Sequence, residues 1–249
     1  MLIALLADIH ANHEALTACL EHAGRNGVDR YVFLGDLVGY GADPRLVVER
    51  VMREVQHGAT AVLGNHDAAV VWDSSEGMRR NARKVVDWTR EQLSSEHREF
   101  LAHLPKTVED GDCLYVHANA WSPYQWEYIL NATDARDSLL ATPCRFTFCG
   151  HVHEAALYHM NRDHEVSGFV PTSATPIPLN RRRRWLAIPG TVGQPRDGLL
   201  AARYAIFDRD KPLLTYFEVP YDYMSALQKT LDAGLPPNIL LKPTVRSRF

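Results

Sequence analysis

Short apolar runs along this chain end, again and again, in clusters of the same polar residues. Leu2-Ile3-Ala4-Leu5-Leu6-Ala7 runs into Asp8-Ile9-His10, Tyr31-Val32-Phe33-Leu34 into Gly35-Asp36, and Ala61-Val62-Leu63 into Gly64-Asn65-His66-Asp67. Further on, Cys113-Leu114-Tyr115-Val116 runs into His117, and Phe146-Thr147-Phe148-Cys149 into Gly150-His151-Val152-His153. Runs this short and β-rich predict buried strands. After the first, Ala15, Leu16, Cys19, Leu20 and Ala23 recur at helical spacing over 13–25, with Gly24 and Gly27 at the end. Asp43-Pro44 reads as the cap and first residue of a second helix, whose buried stripe is Leu46, Val47, Val51 and Val55. A helical stretch from about Gly77 to Leu104 follows, with Val85, Trp88, Leu93, Phe100 and Leu101 inward. Strand and helix alternate here, which predicts a largely parallel sheet with covering helices.

The second half reads differently. Strand candidates follow one another at 145–149, 155–160, 165–170, 184–188, 200–207 and 213–219, separated by turn-rich stretches such as Val170 to Asn180. They predict a second, more antiparallel sheet packed on the first. No Gly/Ser-rich or charge-rich linker divides the halves, so one domain over 1–249 is expected. Its C-terminal part, about 221–249, is an amphipathic helix and a Pro-containing tail docked on the surface.

Composition narrows the picture. A formal net charge of -3 and a sequence pI near 6.4 exert no general pull on nucleic acid or an anionic membrane. Arg181-Arg182-Arg183-Arg184 precedes a strand candidate, and a solvated edge is the expected reading over a nucleic-acid footprint. No apolar run approaches the ~20 residues of a membrane helix, and the chain enters a strand at Leu2 without a basic leader. The four cysteines include no C-x-x-C pair and read as buried thiols. A cytoplasmic location is expected.

In α/β sheets, ligands gather beyond the carboxyl ends of the strands. Five such ends deliver two Asp, one Asn and five His to one rim, which predicts a metal site. Asp8 and His10 lie two apart, so an extended segment points both side chains one way, and His151 and His153 repeat the spacing. Carboxylates, imidazoles and one amide, without thiolate, suit Mn, Fe, Co, Ni or Zn. The candidates Asp8, His10, Asp36, Asn65, His117, His151 and His153 are too many for one tetrahedral ion. Two divalent transition-metal ions sharing a carboxylate fit them, with Asp36 the natural bridge.

In this order along the chain, Asp8-x-His10, Gly35-Asp36, Gly64-Asn65-His66-Asp67, His117 and Gly150-His151-x-His153 resemble the calcineurin-like metallophosphoesterase superfamily. Gly35 to Pro44, Trp126-Glu127-Tyr128 and Pro189 to Gly198 are similar to its small prokaryotic phosphodiesterase/protein-phosphatase-like branch. The resemblance implies an αββα sandwich, two mixed β-sheets flanked by helices. It implies one metal on Asp8, His10, Asp36 and His153, and a second on Asp36, Asn65, His117 and His151, with Mn the favoured ion. It further implies attack by a hydroxide bridging the metals, with His66 as general acid and Asp67 or a backbone group orienting it. The expected substrate is a phosphorylated small molecule or nucleotide: a phosphodiester, a dinucleoside polyphosphate, a phosphomonoester or, if the chain is a protein phosphatase, a phosphoprotein. The alternative from another class is a metal-binding scaffold or interaction protein on the same fold.

The chain departs from relatives that carry an Arg soon after the bridging Asp, because Leu37-Val38-Gly39-Tyr40-Gly41 follows Asp36. Tyr40 also falls one residue late for the tyrosinate ligand of purple acid phosphatases. Candidates to hold substrate are therefore sought elsewhere, at Asn12 and Arg196. The glycines of Gly190 to Arg196 permit N–H groups to converge on an anion. Arg196 offers a bidentate fork to phosphate, unless a salt bridge to Asp197 holds it.

Overall fold

The apolar runs become two stacked six-stranded sheets in the computed structural model, which describes residues 1–72, 80–196 and 198–236. The order is β1 (Leu2–Leu6), α1 (His13–Arg25), β2 (Arg30–Phe33), α2 (Pro44–Gln56), β3 (Thr60–Ala61) and α3 (Asn65–Trp72). Next come α4 (Arg80–Gln92), α5 (Ser95–Ala102), β4 (Thr107–Asp110), β5 (Cys113–Val116), α6 (Ala132–Leu140) and β6 (Phe146–Phe148). The chain then builds β7 (Ala156–Met160), β8 (Val166–Phe169), β9 (Ile177–Pro178), β10 (Arg184–Ile188), β11 (Ala201–Asp208), β12 (Leu213–Pro220) and α7 (Tyr223–Asp232).

One sheet runs β3-β2-β1-β11-β12-β9 and the other β4-β5-β6-β10-β7-β8. Both are mixed. β1, β2 and β3 are parallel and β11 returns antiparallel to β1, while β5, β6 and β10 are parallel and β7 returns antiparallel to β10. The expected split, parallel first half and antiparallel second half, is thus corrected. The late strands β11, β12 and β9 complete the first sheet, because the buried β1 would otherwise leave the N–H and C=O groups of one edge unpaired, and β11 satisfies them. Leu5 lies opposite Ala205 in that pairing.

The sheets meet over Ile3, Leu5, Val32, Tyr115, Phe146, Phe148 and Phe207. Burying each large side chain of this kind contributes about 1.5–3 kcal/mol. Leu16, Leu20, Val47 and Val51 close the outer face of the first sheet, and Ala135 and Leu139 of α6 that of the second. The αββα sandwich is therefore as expected. All four cysteines are buried and unpaired. Among the described residues, no helix is long and apolar enough to cross a membrane.

Three local differences have plain causes. The stretch to Leu104 breaks into α4 and α5 because Ser94 and His97 form a capping box, Oγ accepting from His97 N at 3.2 Å and Nδ1 from Ser94 N at 3.3 Å. Trp88 and Phe100 are only half-buried there. Asp43 precedes α2 but caps no N–H; its carboxylate accepts from Lys229 of α7 at 2.7 Å. Periodicity did not predict β4, α3 or α6, the last capped by Asn131 Oδ1 on Thr133 and Asp134 N–H. Residues 77–79 of the expected helix, and the tail from 237 onward, lie outside the described residues.

Candidate metal centre

The site forms where β1, β2 and β3 of one sheet and β5 and β6 of the other run out. The Asp8-x-His10 and His151-x-His153 pairs are not extended, which corrects the strand-spacing argument. Asp8, His10, Asp36, His151 and His153 have φ of 54, 50, 53, 67 and 69°, all left-handed. Including Ala11, Tyr40 and Trp126, eight of the ten positive-φ non-glycine residues described surround this site. Each costs about 1–3 kcal/mol and persists only where its surroundings over-determine it. Cross-loop hydrogen bonds do that: Asp8 N to Gly35 O (3.1 Å), His10 N to Asp36 O (2.9 Å) and Ala11 N to Leu37 O (2.9 Å). Gly64 permits the closest approach, since a Cβ there would stand 2.1 Å from Asp36 N.

The side chains converge on Asp36. Its Oδ2 lies 3.4 Å from His117 Nε2 and 3.7 Å from His10 Nε2, while Oδ1 accepts from His66 N at 2.8 Å. On one side, His153 Nε2 is 3.1 Å from His10 Nε2 and 3.4 Å from Asp8 Oδ1. On the other, His117 Nε2 is 3.1 Å from Asn65 Oδ1, and His151 lies against His117 with ring centroids 5.0 Å apart. Ligand atoms of Asp8, His10 and His153 lie within 4.8 Å of one another, and so do those of Asp36, His117 and His151.

The donor chemistry fits cations. His10, His153 and His117 place Nδ1 against the carbonyls of Val38 (3.2 Å), Gln194 (3.2 Å) and Leu34 (2.7 Å). A carbonyl only accepts, so Nδ1 carries the hydrogen and Nε2 turns a lone pair inward. His151 likewise bonds the Trp126 backbone, and its buried Nε2 has no partner. The Nε2 atoms of four imidazoles, two carboxylates and an amide thus face one another at close range, an arrangement that calls for cations or protons between them. This is the arrangement in which backbone carbonyls orient metal-binding imidazoles.

Electrostatics describe the same conflict. Burial drives the Asp8 carboxyl up to about 8, against the pull of His117. Burial works against a charge on His117, but Asp36 and Asp8 outweigh it and push the imidazole up to about 9. Burial also opposes ionisation of Asp36, yet His117 and His66 hold it well below the usual carboxylate range. Burial lowers His10 and His153, and takes His151 down to about 3.

The remaining candidates separate. His66 is 6% exposed, with Nδ1 unpartnered and its ring 4.5 Å from Tyr40 and 5.0 Å from His10. Gly39 leaves it room, since a Cβ there would stand 2.6 Å from His66 Nδ1. The Asp67 carboxylate does not orient that ring; it accepts from Gly64 N (3.0 Å) and Val38 N (3.1 Å), capping α3 and pinning the Asp36 loop. Asn12, a sequence candidate to hold substrate, has its amide engaged within the fold. It is 3% exposed, caps α1 through Ala15 N (3.0 Å) and donates to Gly193 O (3.0 Å). Arg196 does reach the cluster, its Nη2 3.3 Å from His153 Nε2 and 2.8 Å from Gln194 Oε1. Asp197, its alternative partner, lies outside the described residues. The orienting carbonyls have no sequence signal, because every residue has one. Tyr40 had one, its place between two glycines. Tyr128 stacks on His151 at 4.0 Å, and Trp126 meets His117 edge-on at 5.8 Å.

Comparison with known proteins agrees with this geometry. A model of the calcineurin-like phosphoesterase superfamily domain matches residues 1–211. A metallophosphoesterase structure from Sphaerobacter thermophilus is 37% identical, with 96% of this chain and 97% of that chain covered and a TM-score of 0.84. An uncharacterised protein of Methanocaldococcus jannaschii is 32% identical over 240 residues, 94% of each. A protein from Pyrococcus horikoshii, 20% identical over 98% of this chain and 99% of that one with a TM-score of 0.79, shares the fold.

Proposed function

We propose that this chain, which belongs to the calcineurin-like phosphoesterase superfamily, hydrolyses a phosphate ester at a centre of two divalent metal ions. The observation that carries the reading is the position of Asp36 Oδ2 between His10 Nε2 (3.7 Å) and His117 Nε2 (3.4 Å), with a ligand group on each side. One ion would be held by Asp8, His10, Asp36 and His153, the other by Asp36, Asn65, His117 and His151. Ions so held supply charge to polarise a phosphoryl group and to acidify water.

The protein's own residues do the rest. Val38, Leu34, Trp126 and Gln194 carbonyls fix the imidazoles, and Asp67 fixes the loop that carries Asp36. His66 serves as general acid to the leaving oxygen, its backbone tied to Asp36 and its ring seated by Gly39. Burial, with His117 and Arg196, lowers its imidazole, which makes the imidazolium a stronger acid. Arg196, steadied by Gln194, offers its guanidinium to the phosphate. The substrate is a phosphorylated small molecule or nucleotide.

Metal analysis and a substrate panel test this together. After Mn loading the chain should hold about two ions and lose turnover with chelator. Phosphomonoesters, phosphodiesters, nucleotides and a dinucleoside polyphosphate form the panel. His66→Gln should keep the ions and lower turnover by ~10²-fold on poor leaving groups, and less on p-nitrophenyl esters. Full activity with one ion, or loss of metal in the His66 variant, would overturn the assignment.

A further inference from the structure

The loop carrying Asp36 ends on a side chain that the reading above leaves unused. Tyr40 stands between Gly39 and Gly41 with its own backbone at φ 64°, a conformation that bulky residues rarely adopt. It is held there by Gly41 N donating to His10 O (2.9 Å) and Asp43 N to Ala11 O (3.0 Å). The result is a half-buried ring 4.7 Å from His10 and 4.5 Å from His66, centroid to centroid. Its phenol interacts electrostatically with the Arg196 guanidinium, the Asp36 and Asp8 carboxylates and the Tyr128 hydroxyl. The ring therefore borders the imidazoles gathered around Asp36.

The sequence of the loop sharpens its role. From Gly35 to Asp43 there is no Lys, Arg, His, Asn, Gln, Ser or Thr, so Tyr40 is its single side chain with a hydrogen to donate. A phenol is protonated at neutral pH without help from its surroundings. Non-bridging phosphoryl oxygens gain charge as the ester bond breaks, and preorganised donors aimed at them are what such a site needs. We propose that Tyr40 grips the substrate, donating its phenolic hydrogen to a non-bridging phosphoryl oxygen that Arg196 approaches from the other side. The proposal rests on the phosphoesterase reading. The competing account is that the ring only packs His66 into place.

Tyr40→Phe separates the two, because it keeps the ring and removes the O–H. On the Mn-loaded full chain, metal content and melting temperature should stay as in wild type. The Kd for inorganic phosphate by calorimetry, and the KM for an ester, should each rise about tenfold or more, the scale of a hydrogen bond to a charged group. Phosphate should also perturb the near-ultraviolet tyrosine spectrum of wild type more than that of the variant. If Tyr40→Phe binds phosphate and turns over as wild type while Tyr40→Leu fails, the residue is packing alone and the proposal is overturned. A wild-type protein that holds its ions yet cleaves no phosphate ester would instead sink the phosphoesterase reading, and the phosphate-binding ratio would still decide on Tyr40.

Discussion

The two ends of the sandwich treat charge in opposite ways. At the amino ends of β1 and β2, Asp110 accepts from Arg30 at 2.5 Å and from Arg209 at 3.0 Å, and the N-terminus pairs with Asp210. These groups are partly exposed, and each carboxylate faces a cation. At the carboxyl ends, Asp8, Asp36 and the imidazoles of His10, His117 and His153 are at most 2% exposed and crowd together with their polar atoms 3–4 Å apart. The backbone differs as well, with the left-handed residues gathered around the second end. One end closes the fold by ordinary pairing, whereas the other holds an arrangement that is complete only with added positive charge. Local rules broken in one place and obeyed elsewhere mark a functional site.

The comparison breaks most directly at Asp36. Asp36→Asn keeps the shape and removes the charge shared by both ligand groups. The variant should retain at most one ion and lose turnover by roughly 10³-fold or more, the loss of about 4 kcal/mol of charge stabilisation in the transition state. Elemental analysis alongside turnover checks it. Two tightly held ions in that variant would remove Asp36 from the bridging position.

The residues gathered at this end are legible in the sequence, but their geometry is hidden there. Asp8, His10, Asp36, Asn65, His117, His151 and His153 could be named because each follows an apolar run, and strand ends are visible in local composition. That the Asp8-x-His10 pair sits on left-handed backbone could not be read, because Asp and His are only weakly enriched there. Asn12 makes a related point: in sequence an amide near the site looks the same whether it faces a ligand or, as here, caps a helix. Sheet membership was hidden more deeply. β11 finds β1 across almost the whole chain, and no local pattern names a strand's partner. Helix α3 was missed because Asn65, His66 and Asp67 open it with ligand chemistry in place of an apolar stripe.

A pH series sharpens the contrast next. The chelated protein holds Asp8 at about 8 and His117 at about 9, each above its unfolded value of ~3.9 or ~6.5. Folding then takes up protons, so stability falls as pH rises through those folded values. The lowered imidazoles of His10, His66, His151 and His153 act oppositely, but their effect is complete by about pH 7, once unfolded histidine is neutral. Between about pH 7 and 8 the chelated protein should lose about 2 kcal/mol, or roughly 4–8 °C of melting temperature. The metal-loaded protein should hold steady over that range, since the ions take the protons' place. Above about pH 8.5 the buried thiols of Cys19, Cys113 and Cys149 weaken both forms alike. Parallel melting curves for the two forms would mean that the cluster does not carry the alkaline sensitivity.

The smallest effect belongs to the other end. Burial raises the Asp110 carboxyl, but hydrogen bonds from Arg30 and Arg209 outweigh it and hold the group below its ordinary value. A depressed folded value contributes stability that is present above the unfolded value of ~3.9 and is lost as pH falls through the folded one. Asp110→Asn keeps the side-chain shape while removing the charge. It should cost about 1 kcal/mol, the upper range for a partly exposed ion pair, or roughly 2–4 °C. The difference from wild type should stay constant from about pH 5 to 8 and close below about pH 4, opposite in sense to the alkaline loss at the metal end. Metal content and turnover should not change, because both arginines lie at the far edge of the sheets from Asp36. Loss of ions in this variant, or a gap that widens at alkaline pH, would show that the two ends are coupled and that the division between a paired end and a cation-requiring end is wrong.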